Sequence, residues 1–182
     1  MRLAQVSRAG VPAMILIEPA IEAKFGRAVR RRALTAFLAQ AAAAVRLRGE
    51  ISVLLTTDKR IRRLNREFRK KDTATDVLSF PAPEPVGVGT PSAGDLAISV
   101  ETAARQAGEA GHALDAELEV LLLHGILHLA GYDHEEDQGR MARKEAALRR
   151  RFGLSVGLIE RATAAGGQAG RPAANGRKGR RT

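Results

Sequence analysis

The segment His124-Gly125-Ile126-Leu127-His128-Leu129-Ala130-Gly131-Tyr132-Asp133-His134 decides how this chain is read. The chain has four histidines, and three of them fall in these eleven residues. His124 and His128 are four apart. On a helix they share one face, with Cβ atoms roughly 6 Å apart. Two imidazoles so placed can converge on one ion at about 2.0–2.1 Å from each nitrogen. Such a pair alone is as readily two hydrogen-bonded core histidines. The third histidine tips the balance, because Gly131 lets the chain turn out of the helix and His134 can swing back as a third ligand. Three protein ligands leave a fourth tetrahedral position open, the pattern of a catalytic rather than a structural zinc site. All-imidazole ligation suits Zn2+, and it suits copper, nickel and iron as well. Asp133 has two readings, as an acceptor for a ligand imidazole's second N–H or as a turn residue. His112, the fourth histidine, reads as a surface or capping residue.

The histidines belong to the most apolar helix in the chain, expected over 114–130. Leu118, Leu121, Leu122, Ile126 and Leu129 give it apolar residues on several sides, so it should be central and buried. Working outward, residues 135–151 read as a last amphipathic helix stopped by Gly153. Residues 102–110 read as a helix ending near Gly111. Upstream, 27–46 reads as an Ala-rich helix with Val29, Ala33, Leu34, Phe37 and Leu38 at helical spacing. Asp58 is expected to cap a further helix that carries Ile61, Leu64 and Phe68 on one side. Strands are expected from Met14, at 51–56, at 77–80 and at 95–100, with a Pro- and Gly-rich loop over 81–94. Four strands and about five helices make one α+β domain, a small mixed sheet packed with helices, over 14–158. Residues 1–13 lack periodicity and read as a flexible extension, or as the product of an early start codon. Residues 159–182 read as a disordered basic tail.

Composition narrows the function. There is no Cys, so a metal site must use His, Asp or Glu, and no disulfide framework exists. No run approaches the roughly 18 apolar residues of a membrane helix, and no secretory signal stands out. The cytoplasm is the default location, with no membrane partner. Aromatics are 3% of residues, which argues against a nucleic-acid surface built on base stacking. The net charge is +10, of which six basic residues lie beyond Glu160, leaving +4 for the body. The body concentrates its cations at Arg27, Arg30, Arg31 and Arg32, and again at Lys59, Arg60, Arg62, Arg63, Arg66, Arg69, Lys70 and Lys71. Such patches attract polyanions through phosphate contacts, and charge alone is equally well explained by solvated helix faces.

The zinc-peptidase signature H-E-x-x-H places a general base beside the first histidine. Here that position is Gly125. Peptide hydrolysis by that route is disfavoured, unless Glu117, Glu135 or another carboxylate folds in. A metal site beside a basic surface favours phosphodiester cleavage instead, since cations stabilise the charge that develops there.

The segment HGILHLAGYDH resembles the signature of the YbeY endoribonuclease family, H-G-x-L-H-L-x-G-Y-D-H, at every fixed position. The segments Leu64-Asn65-Arg66-Glu67-Phe68-Arg69-Lys70-Lys71-Asp72 and Thr75-Asp76-Val77-Leu78-Ser79-Phe80-Pro81 resemble a second family block. Gly94-Asp95-Leu96-Ala97-Ile98-Ser99 resembles a third. Ala74 stands where the family often has Pro. The similarity runs from about Met14 to Gly153. It implies a zincin-like α+β hydrolase with zinc on His124, His128 and His134, and Arg69 as the functionally required arginine. It also implies single-strand-specific endoribonuclease activity in rRNA processing, including maturation of the small-subunit rRNA 3′ end, and a role in ribosome quality control. The implied partners are single-stranded rRNA, the small ribosomal subunit with one of its proteins, and the Era GTPase. From the residues alone, Arg69 is as well read as a salt-bridge partner of Asp76. The competing functions are a metal-stabilised, non-catalytic ribosome-assembly factor and a metallopeptidase.

Overall fold

The computed structural model describes residues 12–83, 91–134 and 137–154. The readings of a flexible start and a basic tail fall mostly or wholly outside them. In chain order the elements are β1 (Ala13–Ile17), α1 (Pro19–Phe25), α2 (Arg31–Ala44), β2 (Glu50–Thr56), α3 (Asp58–Arg69), β3 (Val77–Pro81), β4 (Ser92–Ser99), α4 (Val100–Ala110), α5 (Leu114–Leu129) and α6 (Arg140–Phe152). They form one α+β domain around a mixed four-stranded sheet of order β1-β2-β4-β3. β1, β2 and β4 run parallel, and β3 is antiparallel at the edge.

Strand alternation sorts the core into two sides. Ile15, Val53, Leu55, Leu96 and Ile98 join Leu34, Phe37 and Leu38 of α2 and the Leu-rich stretch of α5 in the main core. Leu78 and Ala97 face the other way and close a small second cluster with Ile61, Leu64 and Phe80 beneath α3. The sheet thus lies between α3 on one face and α2 and α5 on the other. α5 is buried along nearly its whole length, as its all-round apolarity requires. Among the described residues, no helix is long and apolar enough to cross a membrane.

Several boundaries differ from the sequence reading for identifiable reasons. The strand expected at 95–100 begins at Ser92, inside the expected loop. It gives way at Val100 to α4, which starts ahead of the expected residue 102 because the Ser99 side chain caps it. The helix expected over 27–46 begins only at Arg31 and ends at Ala44. Ahead of it, the unanticipated α1 spans only two turns, too short to show a period, with Pro19 at its start and Ile21 as its single buried residue. The cap of α3 is Thr57, whose side chain accepts from the Arg60 N–H at 3.3 Å. Asp58 is not the cap. It accepts hydrogen bonds from Ser99, Thr102 and Arg105 and so ties the start of α3 to the start of α4. α6 starts at Arg140 rather than near residue 135. Gly139 precedes it at φ +79°, and the Asp137 carboxylate accepts from the Met141 N–H at 2.7 Å.

Candidate metal centre

The end of α5 is built by a two-bond glycine stop. Gly131 has φ +82°. Its N–H donates to the His128 carbonyl at 3.0 Å, and the Tyr132 N–H donates to the Leu127 carbonyl at 3.0 Å. This is the Schellman arrangement, in which a left-handed residue after the helix satisfies the last carbonyls and reverses the chain. A Cβ at Gly131 would meet nothing within 4 Å, so the requirement is conformational, not spatial. The reversal returns His134 to the side of the helix that carries the other two histidines.

His124, His128 and His134 do converge. One nitrogen from each lies within 4.8 Å of the others, and the ring centroids are 4.8, 5.2 and 5.5 Å apart. His124 Nε2 and His128 Nε2 are 3.1 Å apart. Two nitrogens bound tetrahedrally at zinc–nitrogen bond lengths would be separated by about 3.3 Å. The helical pair is therefore already at ligating distance, and the arm on the turn is wider. The three grade outward, with His124 buried, His128 half-buried and His134 exposed. One side of the cluster thus faces the core and the other faces solvent.

Burial, followed by the neighbouring His124 and His134, pushes the His128 ring down to about 4. The Asp133 charge and a hydrogen bond to the Tyr132 backbone pull the other way without prevailing. His128 is therefore neutral at physiological pH, the form in which an imidazole ligates. The donor set fits a borderline transition ion: three imidazoles, no thiolate, and one open side.

Other residues sort clearly. Gly125 lies against the sheet, where a Cβ would stand 2.8 Å from Leu96 Cδ2. The position that bears the general base in zinc peptidases thus faces the packed interior. Glu117 does not supply a substitute there. It is fully buried two turns earlier on α5 and pairs with His112 at 2.6 Å. That pairing corrects the reading of His112 as a surface or capping residue, since its side chain is only 16% exposed. Glu135 lies outside the described residues.

Asp133 is exposed and acts on His128 by its charge. A carboxylate that sequence reasoning did not single out approaches a ring of the cluster: Glu145 Oε2 on α6 is 3.4 Å from His124 Nδ1, and both residues are buried. The only sequence signal for it was an acidic residue at a position that shares a helix face with Met141 and Leu148, both buried.

Arg69 ends α3, and its Nη2 donates to the Ser79 carbonyl of β3 at 3.2 Å. Asp76 is engaged elsewhere, by the Val77 N–H, the Thr75 hydroxyl and Gln106. Arg69 is exposed and leans over the edge strand that packs against α5. The α3 cations are partly neutralised, since Asp72 binds Arg62 and Arg66.

The fold and this cluster define an α+β protein with a three-histidine site able to hold one metal ion at the end of its central helix. Residues 19–153 match the family model described as Endoribonuclease YbeY. Relatives bearing that name include one from Koribacter versatilis, 50% identical over 74% of this chain and 86% of that protein. One from an Anaeromyxobacter species is 56% identical over 71% of this chain and 68% of its own length. A third, from Anaeromyxobacter dehalogenans, is 53% identical over 81% and 75%. The chain belongs to the Endoribonuclease YbeY family.

Proposed function

We propose that the chain is a zinc-dependent, single-strand-specific endoribonuclease of rRNA processing, acting in small-subunit rRNA 3′-end maturation and ribosome quality control. His124, His128 and His134 hold the ion, and Arg69 binds a phosphate of the substrate. The implied setting is the cytoplasm, on the small ribosomal subunit, with a small-subunit ribosomal protein and the Era GTPase as partners. The observation that carries this reading is the convergence of three imidazole nitrogens within 4.8 Å with one exposed side, in a member of a family named for RNA cleavage.

A bound divalent ion supplies Lewis acidity at a phosphoryl oxygen and lowers the pKa of water. The chain's own residues supply the rest. His124 and His128, on a buried helix, fix the site, while His134 on the turn leaves it open to a polymer. Arg69, anchored through one N–H to Ser79, keeps further donors for a phosphate, for which a planar guanidinium fork is suited.

The edge strand argues against a peptide substrate. Asp76 pairs with Ser99, and residue 82 with Ala93, so alternation turns the backbone groups of Val77, Ser79 and Pro81 towards the open edge. There the Val77 N–H is taken by Asp76, Pro81 has no N–H, and the Ser79 carbonyl is taken by Arg69. An edge so blunted offers little to a peptide that docks as an added strand.

The test is purified protein with labelled single-stranded and duplex RNA, with and without chelator, beside His128→Ala and with elemental analysis. The expected result is one zinc per chain and cleavage of the single strand that chelator and His128→Ala abolish. RNA binding without cleavage by metal-loaded protein would overturn the catalytic reading in favour of an assembly factor. Chelator-sensitive cleavage of a fluorescent peptide would revive a peptidase.

A further inference from the structure

We propose that Glu145 is a positioning residue for the metal centre. By accepting the Nδ1–H of His124, it selects the tautomer that leaves Nε2 free and aims that nitrogen at the shared point between the rings. The inference rests on the reading of the cluster as a metal site.

The geometry is specific. His124 is 5% exposed, so its inner nitrogen is screened from bulk water. A neutral imidazole carries one N–H and one lone pair, and which nitrogen holds which is set by the bond the other makes. Nδ1 faces Glu145 Oε2 at 3.4 Å, and Nε2 faces His128 Nε2 at 3.1 Å. A carboxylate accepts only, so the proton belongs on Nδ1 and the lone pair on Nε2. Glu145 is 2% exposed, and a carboxylate is kept at such a place only with partners that compensate its desolvation. An acceptor in that place also makes the ring a more basic ligand, as carboxylates behind metal-bound histidines do.

Glu145 comes from α6, 21 residues beyond His124. It shares a helix face with Met141 and Leu148, both of which enter the main core. Docking of α6 by those apolar side chains therefore carries the carboxylate into place. Precision at the site depends on a helix that supplies no ligand.

The experiment measures zinc affinity by competition with a chromogenic chelator for the wild type, Glu145→Ala and Glu145→Gln. It also reads His124's tautomer by long-range proton–nitrogen NMR of metal-free wild type. Glu145→Ala should bind zinc 10- to 100-fold more weakly, roughly the loss seen when such an outer carboxylate is removed. Glu145→Gln, whose amide oxygen still accepts the N–H, should recover most of that loss. The NMR should place the proton on Nδ1. A purely structural role would lower the metal-free melting temperature of both variants and leave zinc affinity unchanged. Glu145→Ala that binds zinc within twofold of wild type overturns the proposal, as does a proton on Nε2. If Glu145→Ala does not fold, Glu145→Gln and the tautomer still decide. A wild-type protein that takes up no zinc refutes the metal site itself, and the tautomer measurement keeps the two failures apart.

Discussion

Gly125 rests directly on Leu96. A Cβ added at Gly125 would meet Cδ2, Cδ1 and Cγ of that leucine at 2.8, 3.0 and 3.4 Å. Leu96 is 1% exposed and has no room to retreat. In an open helix, replacing Gly by Ala gains about 1 kcal/mol. Here the overpacking of a filled core costs roughly 1–3 kcal/mol, so Gly125→Ala should be net destabilising by about 1 kcal/mol in urea unfolding. In a Leu96→Val background the penalty should shrink, because contacting sites couple. Gly125→Glu should fail to yield soluble folded protein, since its carboxylate would be buried between helix and sheet without a partner. An active peptidase from that variant would refute this packing account.

Gly131 is glycine for the opposite reason. Nothing lies within 4 Å of its would-be Cβ, but its φ is +82°. A left-handed conformation costs a residue with a side chain roughly 1–2 kcal/mol. Gly131→Ala should therefore lose about that much stability without any packing rescue. It should also weaken metal binding, because the turn sets where His134 stands. Unchanged zinc affinity in a destabilised variant would show that the third arm finds its place independently of the turn.

These two glycines show what was legible in sequence and what was not. Gly131 announces itself, because a glycine just past a periodic apolar run has a local backbone meaning. The three-histidine cluster is legible for the same reason: helical spacing plus a turn is local geometry. Gly125 reads in sequence only as a missing glutamate, since its contact is with a strand 29 positions earlier in the chain. The part-buried pair His112–Glu117 and the buried pair His124–Glu145 depend on packing, within the helix start in one case and between helices in the other. Composition gives no sign of either. α3's cap was misplaced by one residue because Thr57 and Asp58 are both good caps. Only the bonds from Ser99 and Thr102 reveal that Asp58 serves another helix.

Asp58 gives a pH prediction. Burial opposes its charge, yet hydrogen bonds from Ser99, Thr102 and Arg105 outweigh burial and hold the carboxyl below its ordinary value. A carboxylate whose folded-state value is depressed contributes stability above its unfolded pKa, near 4. That contribution is lost as pH falls through the lower folded value. Wild type should therefore lose stability below about pH 4 more steeply than Asp58→Asn. The variant should be less stable at pH 7, and the two curves should approach each other in acid. Urea midpoints measured from pH 7 down to 3 would check this, and parallel curves would remove Asp58 from the account.

Substitutions at Arg69 would separate the proposed catalysis from metal binding. Arg69 donates to the Ser79 carbonyl through one of its five donors. It lies apart from the imidazole cluster in sequence and on a different element. Arg69→Ala should therefore leave zinc stoichiometry and affinity unchanged. Removing one group that stabilises transition-state charge costs roughly 100- to 1,000-fold in rate, and RNA cleavage should fall by about that much. Arg69→Lys can still donate once to Ser79 but cannot then offer a planar pair of N–H groups to a phosphate. It should stay stable and remain far below wild-type activity. Full activity in Arg69→Lys would reduce this residue to a brace on the edge strand. The cation that meets the phosphate would then have to be sought among the other basic residues of α3.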